Sequence, residues 1–467
     1  MKFTLRPYQN QIVEQVRSAY RAGFKAPLLQ SPTGSGKTVI FAYITEKAAQ
    51  MGNSVMILVH RQELLKQTSD ALFEMKVPHG KIAPRYSVSH DNIQVASIQT
   101  LARRLGKYQE PDMIIIDESH HSVAKNWAKV INSFPNARLL GVTATPVRLD
   151  GKGLGKQSGG FFDTLINGLS VIDLIDMGFL SKPVIYAPPV QLDMSQLHKQ
   201  FGDYKKSEVD ELMDKPTITG CAVEHYQKLC PGEPAIAFCA SVKHAKHVAE
   251  QFNAVGINAE SIDGKLDDIT RKARIDDLAN GRIKVLTSCD LISEGTDIPV
   301  VSVGILLRPT ASMGLFLQQC GRILRPHPDK KHSTILDHVG NTMRHGFPDD
   351  EREWTLAGRD KKARKKDEDD IELNIIQCQS CYMMFRRSEK ICPECGWVVP
   401  VMSREIDQVD GELEKIERNR IRIGKRREIG MAKTEAELNA IAEARGYKKG
   451  WVYMMMKARA KKGVVNA

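Results

Sequence analysis

Along the first 345 residues, apolar and polar positions follow a repeating rhythm. A short, nearly continuous apolar run is followed by a polar or glycine-rich turn and then by a longer mixed stretch. The runs fall at 26–29, 54–59, 93–97, 113–116 and 138–142, then again at 235–239, 258–262, 283–287 and 301–307. Runs that do not alternate predict strands of a parallel sheet covered on both faces. The mixed stretches at 10–20, 39–44, 60–66, 242–252 and 312–320 predict the helices between them. Residues 161–189 read as the tail of the first series, and the polar stretch 191–216 as a partly helical connector. After 345 the rhythm stops. A segment dense in charges of both signs (349–370) precedes a cysteine-rich stretch and a basic tail. The expected organisation is 1–185, connector 186–216, 217–345, linker 346–373, a small unit 374–400 and a tail 401–467.

A chain of 467 residues is too long for one core. Its net charge of +11 suits a polyanionic partner, although the charge is spread along the chain. The longest apolar run, 298–307, is far short of a membrane span, and the start of the sequence has no apolar signal core. The expectation is a cytoplasmic protein with no membrane partner. Of nine cysteines, Cys221, Cys230, Cys239, Cys289 and Cys320 stand alone and read as small buried side chains or free thiols.

Candidate chemistry begins at Ser31-Pro-Thr33-Gly34-Ser35-Gly36-Lys37-Thr38, between a predicted strand and a predicted helix. Strand, glycine-rich turn and helix in that order form a phosphate cradle. Gly34 and Gly36 let successive N–H groups converge, and the helix start adds its positive dipole end. Lys37 supplies charge for the β- and γ-phosphates of ATP, and Thr38 a hydroxyl for magnesium. The strict pattern asks for glycine where Ser31 stands. Upstream, in Leu5-Arg6-Pro-Tyr-Gln9, the Gln9 amide both donates and accepts, as an adenine edge requires, with Arg6 beside it. Asp117 and Glu118 follow the run 113–116, where loops at carboxyl strand ends carry function. Asp117 suits magnesium through water, and Glu118 suits activation of an attacking water. Thr143-Ala-Thr145 reads either as a device coupling phosphate state to movement or as a plain turn. In the second series there is no phosphate loop. It has instead Arg322 and Arg325, permanently charged forks that suit a γ-phosphate held by a neighbouring lobe.

Cys378-x-x-Cys381 and Cys392-x-x-Cys395 fit tetrahedral zinc held by four protein ligands, a structural rather than catalytic site. Redox thiols are the alternative. In the tail, residues 418–427 and everything after Ala444 carry only basic charges, the latter with Tyr447, Trp451 and Tyr453 interleaved. Two short helices are expected, the first capped at Thr434. They read equally as an auxiliary nucleic-acid grip or as a helical face docking on another surface.

The series Leu5-Arg-Pro-Tyr-Gln9, Ser31 to Thr38, His60-Arg-Gln-Glu-Leu64, Asp117-Glu-Ser-His120, Thr143-Ala-Thr-Pro146, Ser293-Glu-Gly-Thr-Asp-Ile-Pro299 and Gln318-x-x-Gly321-Arg322-x-x-Arg325 resembles the ordered motifs of superfamily 2 helicases. It is nearest the DExH branch, with its XPB-type and RadD-like DNA motors, and unlike the Asp-Glu-Ala-Asp box of RNA-directed relatives. The resemblance covers about residues 1–345 and implies an α/β fold of two tandem RecA-like parallel-sheet domains, followed by a zinc ribbon and a helical basic tail. RadD-like proteins also carry a cysteine-rich zinc segment after the motor. It further implies that Arg322 and Arg325 act as arginine fingers and that Gln318 sits near the γ-phosphate. Gly295 and Asp297 would contact the nucleotide, Asp297 at the ribose. Loops at strand ends (His60, Arg61, Ser97, Gln99, Thr100, Ala240, Ser241, Thr287) would hold a phosphodiester backbone. The implied activity is ATP-dependent movement on DNA, single-stranded, duplex or branched, in replication, recombination or repair and with proteins of those processes. An RNA-dependent remodeller and an ATP-switched recruitment module are the alternatives. A restriction motor is a further relation, but no nuclease motif is found.

Overall fold

In the computed structural model, the apolar runs are strands of two sheets, all of them inner except 258–262, which forms an edge. It describes residues 4–148, 152–188, 194, 197–200, 202–213, 216–289, 298, 300–357, 374–400, 432, 434–445, 447 and 450–460, without the side chains of 216–220 and 458–460. The chain divides into two units, Met1–Val399 and Pro400–Ala467.

The first lobe runs α1 (Pro7–Arg21), β1 (Pro27–Gln30), α2 (Lys37–Gln50), β2 (Val55–Val59), α3 (Gln62–Glu74), β3 (Gly80–Ile82), β4 (Ile93–Ser97), α4 (Ile98–Arg104), β5 (Met113–Asp117), α5 (Lys125–Asn132), β6 (Arg138–Thr143), β7 (Thr164–Asn167) and α6 (Val171–Asp176). Its seven strands are all parallel, in the order β3-β4-β2-β5-β6-β1-β7. Leu29, Ile57, Ile115 and Leu140 fill one face of this sheet, and Leu28, Leu58, Ile114 and Ile116 the other. Each such side chain contributes roughly 1.5–3 kcal/mol by leaving water. That two-sided burial is why the strands read as continuous apolar runs.

The second lobe begins with β8 (Pro183–Tyr186), then β9 (Lys199–Gln200), β10 (Asp203–Tyr204), α7 (Lys206–Met213) and α8 (Pro216–Leu229). It continues with β11 (Ala235–Cys239), α9 (Val242–Ala254), β12 (Ala259–Ile262), α10 (Asp268–Ala279), β13 (Val285–Ser288), β14 (Val303–Leu307), α11 (Met313–Ile323), β15 (Ser333–Asp337) and α12 (Asn341–His345). Then follow β16 (Ile375–Gln377) and β17 (Met383–Arg386). The order is β12-β13-β11-β14-β15-β8-β17-β16, parallel as far as β8 and antiparallel beyond it.

Three features depart from the expected organisation. Pro183–Tyr186 pairs in parallel with β15, so the expected boundary after residue 185 falls inside a strand of the second sheet. The cysteine-rich segment is not a detached ribbon: β17 pairs with β8, and the Gln377 side chain donates to Ala187 O (2.8 Å). The charged stretch is not wholly a solvated linker. Residues 346–357 cross back to the first lobe, where Leu356 is buried and its carbonyl accepts from Gly155 N (3.0 Å).

In the second unit, α13 (Glu435–Ala444) and α14 (Trp451–Ala460) share a small core of Ala432, Leu438 and Val452. Thr434 and Glu437 form the expected reciprocal cap at the start of α13. Among the described residues, no helix is long and apolar enough to cross a membrane.

Candidate active site

The loop after β1 curls because Gly34 and Gly36 take left-handed backbone (φ 88° and 81°). Gly36 is also the N-cap of α2, where no side chain caps the helix. Unspent N–H groups at a helix start are what a phosphate binds. Ser31 turns inward: its hydroxyl meets that of Ser35 (2.7 Å), which donates to Pro32 O (2.7 Å). The serine that breaks the strict pattern therefore ties the loop together. Lys37 Nζ reaches the carbonyls of Ser31 and Pro32 (both 3.2 Å). Thr38 follows on the first turn of α2.

Tyr8 and Gln9 hold this loop from outside. The Tyr8 hydroxyl donates to Ser35 O (2.6 Å), as does Gln9 Nε2 (3.3 Å), while Gln9 Oε1 accepts from Arg6 N (3.0 Å). The Arg6 guanidinium lies 4.1 Å from the centre of the Phe179 ring, which also packs on Tyr8. Tyr8 and Phe179 were not singled out in the sequence. Tyr8 lies inside the Leu5-Arg-Pro-Tyr-Gln9 motif; Phe179 is distant in sequence and carries no local signal.

Asp117 and Glu118 are buried at the end of β5. Glu118 holds left-handed backbone (φ 50°), uncommon for a residue with a side chain and costing about 1–3 kcal/mol. Its N–H bonds Asp117 Oδ1 (2.9 Å). Ser119 locks the turn by donating to Ile116 O (2.7 Å) and accepting from Val142 N (2.7 Å). His120 Nδ1 lies 3.4 Å from Glu118 Oε2 and 3.2 Å from Thr143 Oγ1, which donates to Thr145 O (3.1 Å). This chain of contacts links the Glu118 carboxylate to the Thr143-Ala-Thr145 segment.

The second lobe reaches this site through α11. Gln318 and Arg322 are buried on it, and Arg325 follows its end. Gly321 packs so close to the phosphate loop that a Cβ there would stand 2.5 Å from Thr33 Cβ. Leu324 is buried in the first lobe's core, and its carbonyl accepts from Ser181 N (2.7 Å) in the crossing segment. The electrostatics agree. Loss of water pulls the Lys37 pKa below the lysine range, Glu118 and Asp117 oppose the shift, and Arg322 and Arg325 add to it. Lysine, carboxylates and both arginines therefore share one field.

The expected nucleic-acid residues are brought together only in part. His60, Arg61 and Gln99 meet where β2 and β4 end, the Gln99 amide donating to His60 O (3.1 Å). The rings of His60 and His121 meet at a tilt with centres 4.7 Å apart, and those of His121 and His120 likewise at 4.1 Å. Ser97 and Thr100 are buried. Ala240 N meets His244 Nδ1 (3.3 Å), and the Ser241 hydroxyl caps α9 by accepting from His244 N (3.0 Å). Thr287 offers nothing to a ligand in this conformation: it is fully buried and its hydroxyl donates to Ala245 O (2.7 Å). Gly295 and Asp297 lie outside the described residues.

Cys378, Cys381, Cys392 and Cys395 bring their sulfurs within 4.8 Å of one another, with pairs at 3.5 and 3.6 Å. A tetrahedron with zinc–sulfur bonds of about 2.3 Å has edges near 3.8 Å, so the donor set fits zinc. The two knuckles share one geometry. Tyr382 N bonds Cys378 O (3.1 Å) and Gly396 N bonds Cys392 O (3.0 Å), both residues in left-handed backbone. Of the isolated cysteines, Cys230, Cys239 and Cys320 are buried and Cys221 is exposed.

Residues 2–148 match the family described as type III restriction enzyme, res subunit, and residues 221–327 the helicase conserved C-terminal domain. A 51.5 kDa protein of Lactococcus phage (isolate 7-9) is 35% identical over 403 residues, 85% of this chain and 83% of that protein. The candidate ATP-dependent helicase IRC3 of Saccharomyces cerevisiae is 29% identical over 360 residues, 72% of this chain; the chain spans about half, 51%, of that protein's length. Among solved structures, a fragment of a candidate HsdR subunit of a type I restriction enzyme from Vibrio vulnificus shares the fold, with TM-score 0.59, 23% identity and coverage of 74% and 66%. So does the DNA-bound type ISP restriction-modification enzyme LlaBIII, with TM-score 0.54, 18% identity and coverage of 79% and 29%.

Proposed function

The chain belongs to the superfamily 2 helicases, with the ATP-hydrolysing motor fold that this family shares with restriction enzymes, and on that premise we propose that it is a DNA helicase or translocase. The observation that carries the reading is the contact of α11 with the phosphate loop, where Gly321 meets Thr33 and both arginines act on Lys37. Neither lobe holds all the groups, so hydrolysis is tied to closure and release to opening.

In this reading the loop N–H groups and Lys37 hold the β- and γ-phosphates, with Arg6 and Gln9 at the base. Thr38 and Asp117 would hold magnesium, which offsets phosphate charge. Glu118 takes a proton from the attacking water, and Arg322 and Arg325 face the charge that develops on the γ-phosphate. Gln318, buried on the same helix, relays closure. Residues at the strand ends (His60, Arg61 and Gln99 in one lobe, Ala240 and Ser241 in the other) grip the phosphate backbone alternately, which gives little sequence preference. The four cysteines would hold zinc as a structural ion. Its working place is the cytoplasm, in replication, recombination or repair. What supports DNA over RNA as the track is the Asp117-Glu118-Ser119-His120 box, which is unlike the Asp-Glu-Ala-Asp of RNA-directed relatives.

The experiment is ATP turnover across single-stranded, duplex and branched DNA and RNA. Stimulation by DNA is expected. Stimulation by RNA alone would overturn the substrate, and turnover indifferent to all of them would favour a recruitment switch.

A further inference from the structure

A helix leaves its last carbonyls without intrahelical partners. At the end of α11 those of residues 323, 324 and 325 are all taken, and two of the three by one side chain. Lys330 Nζ donates to Ile323 O, to Arg325 O (3.0 Å) and to Val301 O (2.8 Å). Ser333 Oγ adds a second bond to Ile323 O (2.9 Å), and Leu324 O accepts from Ser181 N (2.7 Å). An ammonium has three donors, and here three carbonyls take them. The charge also sits at the negative end of the helix dipole. A surface lysine would leave its head in water. This one spends it on the backbone of the very residue that faces Lys37.

We propose that Lys330 is the positioning residue for Arg325: its ammonium fixes the chain at the end of α11 and so aims that guanidinium at the nucleotide shared by the two lobes. The proposal rests on the shared-site reading above. Displacement of a reacting or stabilising group by about 1 Å costs on the order of 100-fold in rate, so backbone anchoring beside an arginine finger is a lever on turnover.

The lever has a pH dependence. Burial pulls the Lys330 pKa to about 7; Glu233, whose carboxylate accepts from the Ser302 hydroxyl (2.7 Å), opposes the shift, and Arg325 adds to it. Its chain neighbours Asp329, Lys331 and His332 are exposed. A neutral lysine keeps two donors for three carbonyls. Turnover should therefore fall as pH rises through about 7. Stability moves the other way. The unfolded lysine, at its ordinary 10.5, binds a proton that the folded one has released, so this group favours the fold increasingly from about 7 upward. A merely structural lysine would not lower turnover while stability rises.

The test is a double-mutant cycle on the full chain, reading kcat and KM for ATP at saturating DNA. Lys330→Met should lower kcat about tenfold or more with KM within about twofold, and Lys330→Arg should restore most of the rate and flatten the fall above pH 7. In the Arg325→Ala background, Lys330→Met should add little further loss. Lys330→Gln, which keeps two donors for three carbonyls and no charge, carries the same test if Lys330→Met fails to fold, with a smaller loss of kcat and no fall above about pH 7. Wild-type kcat in these variants, or losses that multiply with Arg325→Ala, would overturn the proposal. A harmless Arg325→Ala would instead overturn the shared site itself, so the two failures are distinct.

Discussion

The two lobes use the same strand, turn and helix at the centre of their sheets and finish it differently. In the first, β1 leads to Gly36, which leaves the start of α2 without a side-chain cap. In the second, β11 leads to Ser241, whose hydroxyl spends itself on His244 N at the start of α9. A capped helix start has one fewer donor for a phosphate and more intrinsic stability. The first lobe keeps its donors for a ligand, and the second spends one on itself and contributes arginines from α11. Sheet topology is thus compatible with either finish, and the two lobes differ at the residue that starts the helix.

The largest effect should come from the first lobe's own chemistry. Glu118→Gln is expected to slow ATP turnover about 10²- to 10⁴-fold while a nucleotide-binding assay stays near wild type. Next, Gly36→Ser puts at the start of α2 the residue type that caps α9, but in left-handed rather than extended backbone. It places a side chain in left-handed backbone and a Cβ 2.5 Å from Gln9 Nε2, so ATP binding measured by calorimetry should be lost. Gly321→Val attacks the seam between the lobes: with Thr33 Cβ only 2.5 Å from a Cβ at that position, kcat should fall about tenfold or more while each lobe stays folded by circular dichroism. Zinc chelation or Cys395→Ser should lower the melting temperature by several degrees, because β17 covers the edge of β8 and loses its anchor. Smallest of all, Ser241→Ala should cost about 1 kcal/mol in urea unfolding, the ordinary worth of an N-cap.

Local pattern carried much of this into view. The apolar runs marked strands, all but 258–262 inside their sheets, and the glycines, Lys37, the acidic pair and the two arginines were legible because each sits in a short motif. Pairings between distant residues were not. Nothing near Pro183–Tyr186 tells that it joins β15 rather than the first sheet, and nothing near Gln377 points to Ala187. Thr287 belongs to a strand-end motif, yet its hydroxyl is taken by Ala245 O from a neighbouring helix. Leu356 lies in a charged stretch and returns to the first lobe's core for reasons that composition averages away.

The most direct measurement is single-turnover hydrolysis of ATP by Arg325→Ala, paired with equilibrium binding of ATP to the same variant. A fuel site completed across the seam predicts binding within a few-fold of wild type and hydrolysis slower by about 10³-fold. Hydrolysis at the wild-type rate would mean that the rear lobe lends no charge to the reaction.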